Sequence, residues 1–506
     1  MLDPTDQDNT GTDPAVAPIT EFELLLTAAE AWPAFERLCL GAQRSIRACF
    51  RVFDLTTALR SHEAREIGET WVDLLLHVLN KGVDVEIVVT DFDPILATDD
   101  HRRSWSSARQ LAAVNELADG GSLRFQIAMH PARVGLVPRS LFNPKIGNEL
   151  QEKDPDPLTP HLARKAESGK LSLVPATHHQ KLAVIDGEQL YIGGLDLNER
   201  RFDDTQHDRP SEDTWQDMQA IVRGPVVAAA EAHLRGFRAV TEGRADPPPP
   251  APGFLRTLSA KRAVELVHIA PQTVLAEIEQ AHLDAIGRAQ SLIYLETQFF
   301  RHKPLAQALA DAAREKPGLA CVLVMPGAPE DVAFDGNRRA DAALGAQKTC
   351  EALDLLTDGF GDRVAIASPV QPRPAQAPDA PDAIAGAPIV YVHSKLSIFD
   401  TREAILSSAN LNGRSLRWDT EAGLHLTLAD RVADTRHRAL AHWLGAEAPT
   451  EAELSDGPAF VARLRRMLDQ NAAQSPQDRR HFLVPYDRSR DRELARPIPG
   501  VPDEMV

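Results

Sequence analysis

The sequence predicts an internally duplicated α/β fold, with two mixed β-sheets flanked by helices. Three observations carry that expectation. Helical patterns alternate with short apolar strands, the signature of parallel βαβ units. The same series of elements occurs on both sides of a Pro-rich midpoint, residues 246–253 (DPPPPAPG), which is too stiff for helix or central strand. Each series then ends in the same constellation of His, Lys and Asp.

Taken in order, a helical pattern over 28–43 leads into the apolar run 45–53. A helix over 66–79 stops at Gly82 and strand 83–90 follows; a helix over 104–117 precedes strand 122–128. In the second half, helix 273–288 precedes strand 291–297, helix 304–314 precedes 319–325, and helix 338–356 precedes 363–367. The domain reading is a disordered segment 1–20, a first half 21–245, the linker 246–253, a second half 254–468 and a polar C-terminal arm 469–506. A second Pro/Ala-rich stretch, 369–388, reads as a long loop.

Composition narrows the function. With 506 residues, 43% hydrophobic and 25% charged, the chain reads as an ordinary soluble globular protein. Its formal charge of −18 argues against a protein that coats nucleic acid, which needs clustered Lys and Arg. Four scattered cysteines (Cys39, Cys49, Cys321, Cys350) make neither a disulfide framework nor a zinc knuckle, and are expected as buried free thiols. No stretch is apolar enough for a membrane span, and the acidic N-terminus lacks a secretory signal. The expectation is a soluble protein, either cytoplasmic or exported by a route without that signal.

The repeated constellation is the strongest signal. His179-Gln180-Lys181 runs on to Asp186, and after six residues Gly193-Gly194-Leu195-Asp196 follows; His393-Ser394-Lys395 runs on to Asp400, and after six residues Ser407-Ser408-Ala409-Asn410 follows. A single His-x-Lys triplet means nothing, since roughly 0.4 are expected by chance. Two copies with Asp at the same offset are a different matter, the more so because only 11 of the 55 basic residues are Lys. In a strand, residues i and i+2 share a face, so His and Lys reach one cavity. A His can attack phosphorus or protonate a leaving oxygen, and a nearby ammonium offsets phosphate charge. Two facing copies supply a nucleophile, an acid and two cationic clamps.

These stretches resemble the paired HxKxxxxD motifs of the phospholipase D superfamily, and HHQKLAVID…GGLDL with HSKLSIFD…SSANLNGRS resembles its phospholipase D branch. Flanking text is similar too: the run 293–300 (IYLETQFF), Trp215-Gln216-Asp217, and Trp418-Asp419-Thr420-Glu421. The resemblance covers about residues 20–445. It implies a phospholipase D-like fold with the active site at the seam between halves, and a two-step hydrolysis of phospholipid headgroup esters without metal or cofactor. It further implies His179 as nucleophile forming a phosphohistidine and His393 as acid, with Lys181 and Lys395 on the non-bridging oxygens. Asp186 and Asp400 complete the two catalytic motifs, securing the turns. Asp217 and Glu421 are expected to hold each His by its second nitrogen. Ser408 and Asn410 are expected as substrate-binding donors, with Gly194 and Asp196 at the matching places. The expected partner is a phospholipid, with peripheral membrane contact, no nucleic acid and a monomeric state because one chain carries both half-sites. A cardiolipin synthase-like transferase or a nuclease of the same superfamily would use the same residues.

Weaker signals have plainer readings. Trp215 and Trp418 fit core packing better than a quaternary ammonium pocket. Asp203, Asp204 and Asp208 near His207 read as a solvated acidic loop. The insertion 130–178 sets Val134, Leu136, Val137, Leu141 and Phe142 among Arg133, Arg139 and Lys145. It fits a loop dipping into an anionic lipid surface and an ordinary packed loop equally well.

Overall fold

A computed structural model describes residues 17–94, 97–138, 164, 173–264, 266–334, 336–376, 383–497 and 504. The first half contributes strands β1 (Glu21–Leu25), β2 (Ser45–Phe50), β3 (Asp84–Asp91), β4 (Leu123–Met129), β5 (Lys181–Ile185), β6 (Gln189–Gly193) and β7 (Gln219–Arg223). The second contributes β8 (Phe254–Ala260), β9 (Gln272–Ala276), β10 (Leu292–Glu296), β11 (Ala320–Val324), β12 (Val364–Pro369), β13 (Leu396–Phe399), β14 (Glu403–Ser407), β15 (Glu421–Leu426) and β16 (Leu483–Pro485).

Strand order is β1-β7-β6-β5-β2-β3-β4 in one sheet and β16-β12-β11-β10-β13-β14-β15-β8-β9 in the other. The seven strands of the first sheet reappear in the second in the same order, with β9 and β16 added at its edges. In both, a parallel βαβ trio meets an antiparallel quartet at the motif strand: β2 pairs β3 in parallel and β5 antiparallel, and β10 pairs β11 in parallel and β13 antiparallel. The duplicated α/β fold with two mixed sheets is thus the observed architecture.

Alternation along the motif strands explains the layering. Leu182 and Val184 join Leu396 and Ile398 in a central core between the sheets. Ala183 and Ile185 face instead the core under helices Ala28–Gly41 and Trp71–Asn80. Phe399 faces the equivalent core under helices Glu277–Arg288 and Lys303–Glu315. Helices Val226–Thr241, Ala429–Leu444 and Gly457–Ala473 also bury apolar faces in the central core, so each sheet is covered by helices on both faces.

Two local expectations need correction. Helix 273–288 begins only at Glu277, because Gln272–Ala276 instead forms β9 on the open edge of β8. Its β-branched Thr273 and Val274 suit an edge strand, and the backbone hydrogen bonds go to β8. The arm 469–506 is not uniformly polar: Leu483 and Val484 are buried, and Leu483–Pro485 adds to the edge of β12. The cysteines are free, three of them buried and Cys350 half-buried. Among the described residues no helix is long and apolar enough to cross a membrane.

Candidate active site

His179 stands two residues before β5 and His393 three before β13, at the end where β5 meets the C-terminal end of β2 and β13 meets that of β10. Short bridges across the seam fix both segments. The His179 amide donates to the Thr420 carbonyl at 2.8 Å, and the Thr420 amide donates to Thr177. The His393 amide donates to the Gln216 carbonyl at 2.7 Å, and the Gln216 amide donates to Tyr391. The backbone therefore delivers each motif to the opposite half.

The consequence is reciprocal. His393 Nδ1 lies 2.5 Å from Asp217 Oδ2, a first-half carboxylate. His179 Nδ1 lies 3.0 Å from Oε1 and 3.2 Å from Oε2 of Glu421, a second-half carboxylate. A carboxylate at Nδ1 favours the tautomer protonated there and leaves Nε2 with its lone pair. Lys181 Nζ donates to the His179 carbonyl at 2.6 Å, and Lys395 Nζ donates to the His393 carbonyl. Both lysines are buried.

Electrostatics tie the half-sites together. Burial, then the charges of Lys181, Arg51, Lys395 and Arg414, hold His179 well below the ordinary imidazole value. Burial, then Lys395, Lys181 and Arg201, do the same for His393. Both rings therefore favour the neutral form until an anionic group lies beside them. Burial pushes Asp217 up to about 7 and Glu421 up to about 8, against the pull of the lysines. Burial also draws the Lys395 ammonium down to about 7.

Several expected site residues do other work. Asp186 sits at the far end of β5, where its carboxylate accepts from the amides of Gln43, Arg44 and Ser45 at 2.9, 2.7 and 2.8 Å. Asp400 accepts from Gln290, Ser291 and Leu292 at 2.8, 2.8 and 2.9 Å. The motif aspartates are thus away from the histidines: a strand separates them, and each one anchors the entry of the neighbouring strand. Both take left-handed backbone (φ 56° and 54°), which Asp tolerates in a tight turn. Gly194 and Ser408, expected at substrate, contact the carboxylates instead. Ser408 Oγ donates to Glu421 Oε2 at 2.5 Å, and a Cβ at Gly194 would stand 2.1 Å from Asp217 Oδ1. Glycine there leaves the room that the Asp217 carboxylate occupies.

Asp196 accepts from the Val52 amide at 2.8 Å and lies 3.9 Å from Lys181 Nζ. Asn410 donates to Gln298 at 3.1 Å, and its Oδ1 is a buried oxygen without a hydrogen-bond partner. Trp215 is core, as is Trp418. The Trp215 ring packs 4.5 Å from that of His393, with the Arg201 guanidinium 3.3 Å from its centroid, so its cation–π face is occupied from within. The Asp203 reading is corrected: Asp203 is fully buried, with Oδ2 at 2.8 Å from His207 Nδ1 and accepting from the Trp215 amide. Among the described residues no group of three or more His, Cys, Asp or Glu could hold a metal ion. Arg139, Leu141, Phe142 and Lys145 lie outside the described residues.

Sequence reasoning missed Arg51, Arg201 and Arg414. A signal for Arg51 existed. Cys49 pairs with Leu182 and Glu296 with Leu396, so Arg51 and Gln298 hold matched places after their strands. Arg51 bonds Asp100 at 2.9 Å, and Arg414 bonds Asp419, which also accepts from the Thr177 amide at 2.6 Å.

Comparison with known proteins fits this geometry. Residues 282–443 match the family model described as cardiolipin synthase, PLD-like domain. A phospholipase D of Phytophthora infestans is 30% identical over 184 residues, 31% of this chain and 10% of that protein. The fold is that of the phosphatidylserine synthase crystal structure from Haemophilus influenzae Rd KW20, with a TM-score of 0.50 over 89% of this chain and 93% of that one, at 12% identity. Residues 282–443 thus form a PLD-like domain, and the chain has the fold of that synthase. A polyphosphate kinase from Porphyromonas gingivalis is also similar, with a TM-score of 0.45, 11% identity, and 86% and 49% of the two chains covered. The chain spans about a tenth of the length of the curated phospholipase D it matches.

Proposed function

We propose that the protein is a phospholipase D-type hydrolase that converts a phospholipid to phosphatidate and free headgroup alcohol through a covalent phosphohistidine. The observation that supports this best is the pair of imidazoles, each held at Nδ1 by a carboxylate from the opposite half and each beside a buried lysine. In this reading His179 Nε2 attacks phosphorus, the N–P bond forms, and the P–O bond to the headgroup breaks. The departing oxygen takes its proton from Nε2 of His393, which enters this step as the imidazolium, its charge balanced by the Asp217 carboxylate and the anionic phosphate. Water then attacks phosphorus and gives a proton to His393, and the N–P bond breaks to release phosphatidate. Lys181 and Lys395 hold the non-bridging oxygens, where charge builds in the transition state. Arg51, Arg201 and Arg414 add positive potential around an anionic substrate.

An alcohol in place of water makes the same bonds and gives a transferred phosphatidyl group. The description of the matching family model favours that as the second reading. One chain carries both half-sites, so a monomer suffices.

The test is a panel of phospholipids, DNA and a generic phosphodiester, with and without added alcohol, on wild type and the His179→Ala and His393→Ala variants. The expected result is phosphatidate from wild type, undiminished by a chelator, and no turnover by either variant. Full activity in either variant, or turnover of DNA with none of phospholipid, would overturn the proposal; a phosphatidyl alcohol as the main product would select transfer.

A further inference from the structure

Five large apolar side chains are exposed together at the histidine end of the molecule. Leu136 (60%), Val137 (52%), Val264 (68%), Leu266 (51%) and Val267 (56%) come from two loops, one in each half. The loops are hydrogen-bonded to each other. The Gly135 amide donates to the His268 carbonyl at 2.8 Å, and the Val137 amide donates to the Leu266 carbonyl at 2.9 Å. A Cβ at Gly135 would stand 2.9 Å from Leu266 backbone, so the residue's smallness permits the contact. Exposed apolar residues are ordinary when scattered, but a contiguous group marks an interaction surface.

Topology places that group beside the site. The first loop leaves the C-terminal end of β4, and the second leaves the C-terminal end of β8. These are the sheet ends that carry the motif histidines, because β4 runs parallel to β3 and β2, and β8 pairs Thr257 with Glu421. His130 Nε2 is 3.3 Å from the Ser259 carbonyl, which ties the two loop bases together. The Val134 amide donates to Leu173 at 3.0 Å, and from Leu173 to His179 there is at most about 20 Å of chain.

The charge around the patch runs against that of the whole protein. On a chain of net charge −18, the stretch 261–271 carries the cations Lys261 and Arg262 against the single acid Glu265. Lys261 and His268 are exposed. Apolar side chains rimmed by cations match the boundary between acyl chains and anionic headgroups.

We propose that these two loops form an interfacial anchor that docks the site end of the protein on a phospholipid surface bearing anionic headgroups. Apolar side chains sunk to the headgroup–acyl boundary set the seam at the level of the phosphates, so a lipid reaches the histidines without leaving the bilayer. This placement rests on the phospholipid reading of the site.

The experiment is flotation of the full chain with phosphatidylcholine–phosphatidylglycerol vesicles, read as bound fraction and therefore independent of turnover. The variants are Val264→Ser/Leu266→Ser/Val267→Ser in one loop and Leu136→Ser/Val137→Ser in the other, so a folding defect in one leaves the second to decide. Each variant is expected to lose vesicle binding about tenfold or more, with added salt weakening wild type further. Both should keep wild-type turnover of a short-chain phospholipid below its micelle concentration. Unchanged vesicle binding in both variants would overturn the anchor, as would sedimentation showing that the substitutions only split a dimer. Vesicle binding lost in the variants, in a protein that cleaves no phospholipid, would retain the anchor and reject the enzymatic reading.

Discussion

At the scale of single residues, the site is a set of exchanged partners, and exchange makes the two histidines separable by experiment. Asp217 serves His393 and Glu421 serves His179. If His179 attacks and His393 protonates the leaving oxygen, the two carboxylates support different steps. Asp217→Asn and Glu421→Gln should each lower kcat on a natural phospholipid by roughly 10²-fold or more. A substrate whose leaving group is a nitrophenol needs no acid, so it should rescue the first-turnover burst of Asp217→Asn, though not its water-dependent second step, and leave the burst of Glu421→Gln impaired. Rescue of Glu421→Gln alone would exchange the roles of the histidines. Ser408 and Gly194 belong to this argument as well, since one bonds the Glu421 carboxylate and the other makes room for that of Asp217.

At the scale of elements, the motif aspartates show how a conserved-looking spacing in two copies can be structural. Asp186 and Asp400 each take three backbone N–H groups at the entry of β2 and β10, which no neighbouring strand satisfies. Asp186→Ala should cost about 1 kcal/mol, read as a lower urea midpoint, because the half-buried Ser45 amide loses its acceptor while the exposed amides of Gln43 and Arg44 turn to water. Its kcat, per folded molecule, should stay near wild type. Asp186→Asn should cost less, because Asn tolerates the left-handed turn and keeps one acceptor oxygen. A large fall in kcat with unchanged stability would return the aspartate to the chemistry. The edge strand β9 teaches the opposite lesson: its residues looked helical in sequence because the helix Glu277–Arg288 follows without a break, and only the open edge of β8 draws them into the sheet.

At the scale of the molecule, the halves share one core and one site. Central-core residues come from both sheets, and each imidazole depends on the other half. A chain split between Pro249 and Pro250 should therefore give two fragments that are inactive alone and active when produced together. Turnover by either fragment alone would refute the exchange. Stability should also depend on pH in a definite direction. Burial holds His130 and His233 down to about 3 and His282 down to about 4, and keeps His178 and His442 well below the usual value. Below pH 6.5 the unfolded chain takes protons that the folded chain refuses, so stability falls by about 1.4 kcal/mol per pH unit per such group. Asp217, Glu421 and Glu296 are raised by burial and work the other way, taking protons in the folded state first. They are outnumbered, so urea midpoints should drop between pH 6.5 and 4. A flat or rising midpoint would contradict the neutral buried histidines.

The sequence by itself determined the duplication, the parallel βαβ trios and the two His–Lys pairs, because these depend on local periodicity and on spacing along one strand. It also singled out Asp217 and Glu421 as the carboxylates for the histidines. Tertiary structure alone decided which carboxylate serves which ring, that Gly194 and Ser408 attend to carboxylates, and that Arg51, Arg201 and Arg414 gather round the seam. Those facts arise where loops from opposite halves pair across a sheet end. No pattern confined to neighbours in the chain encodes a contact between residues some two hundred positions apart.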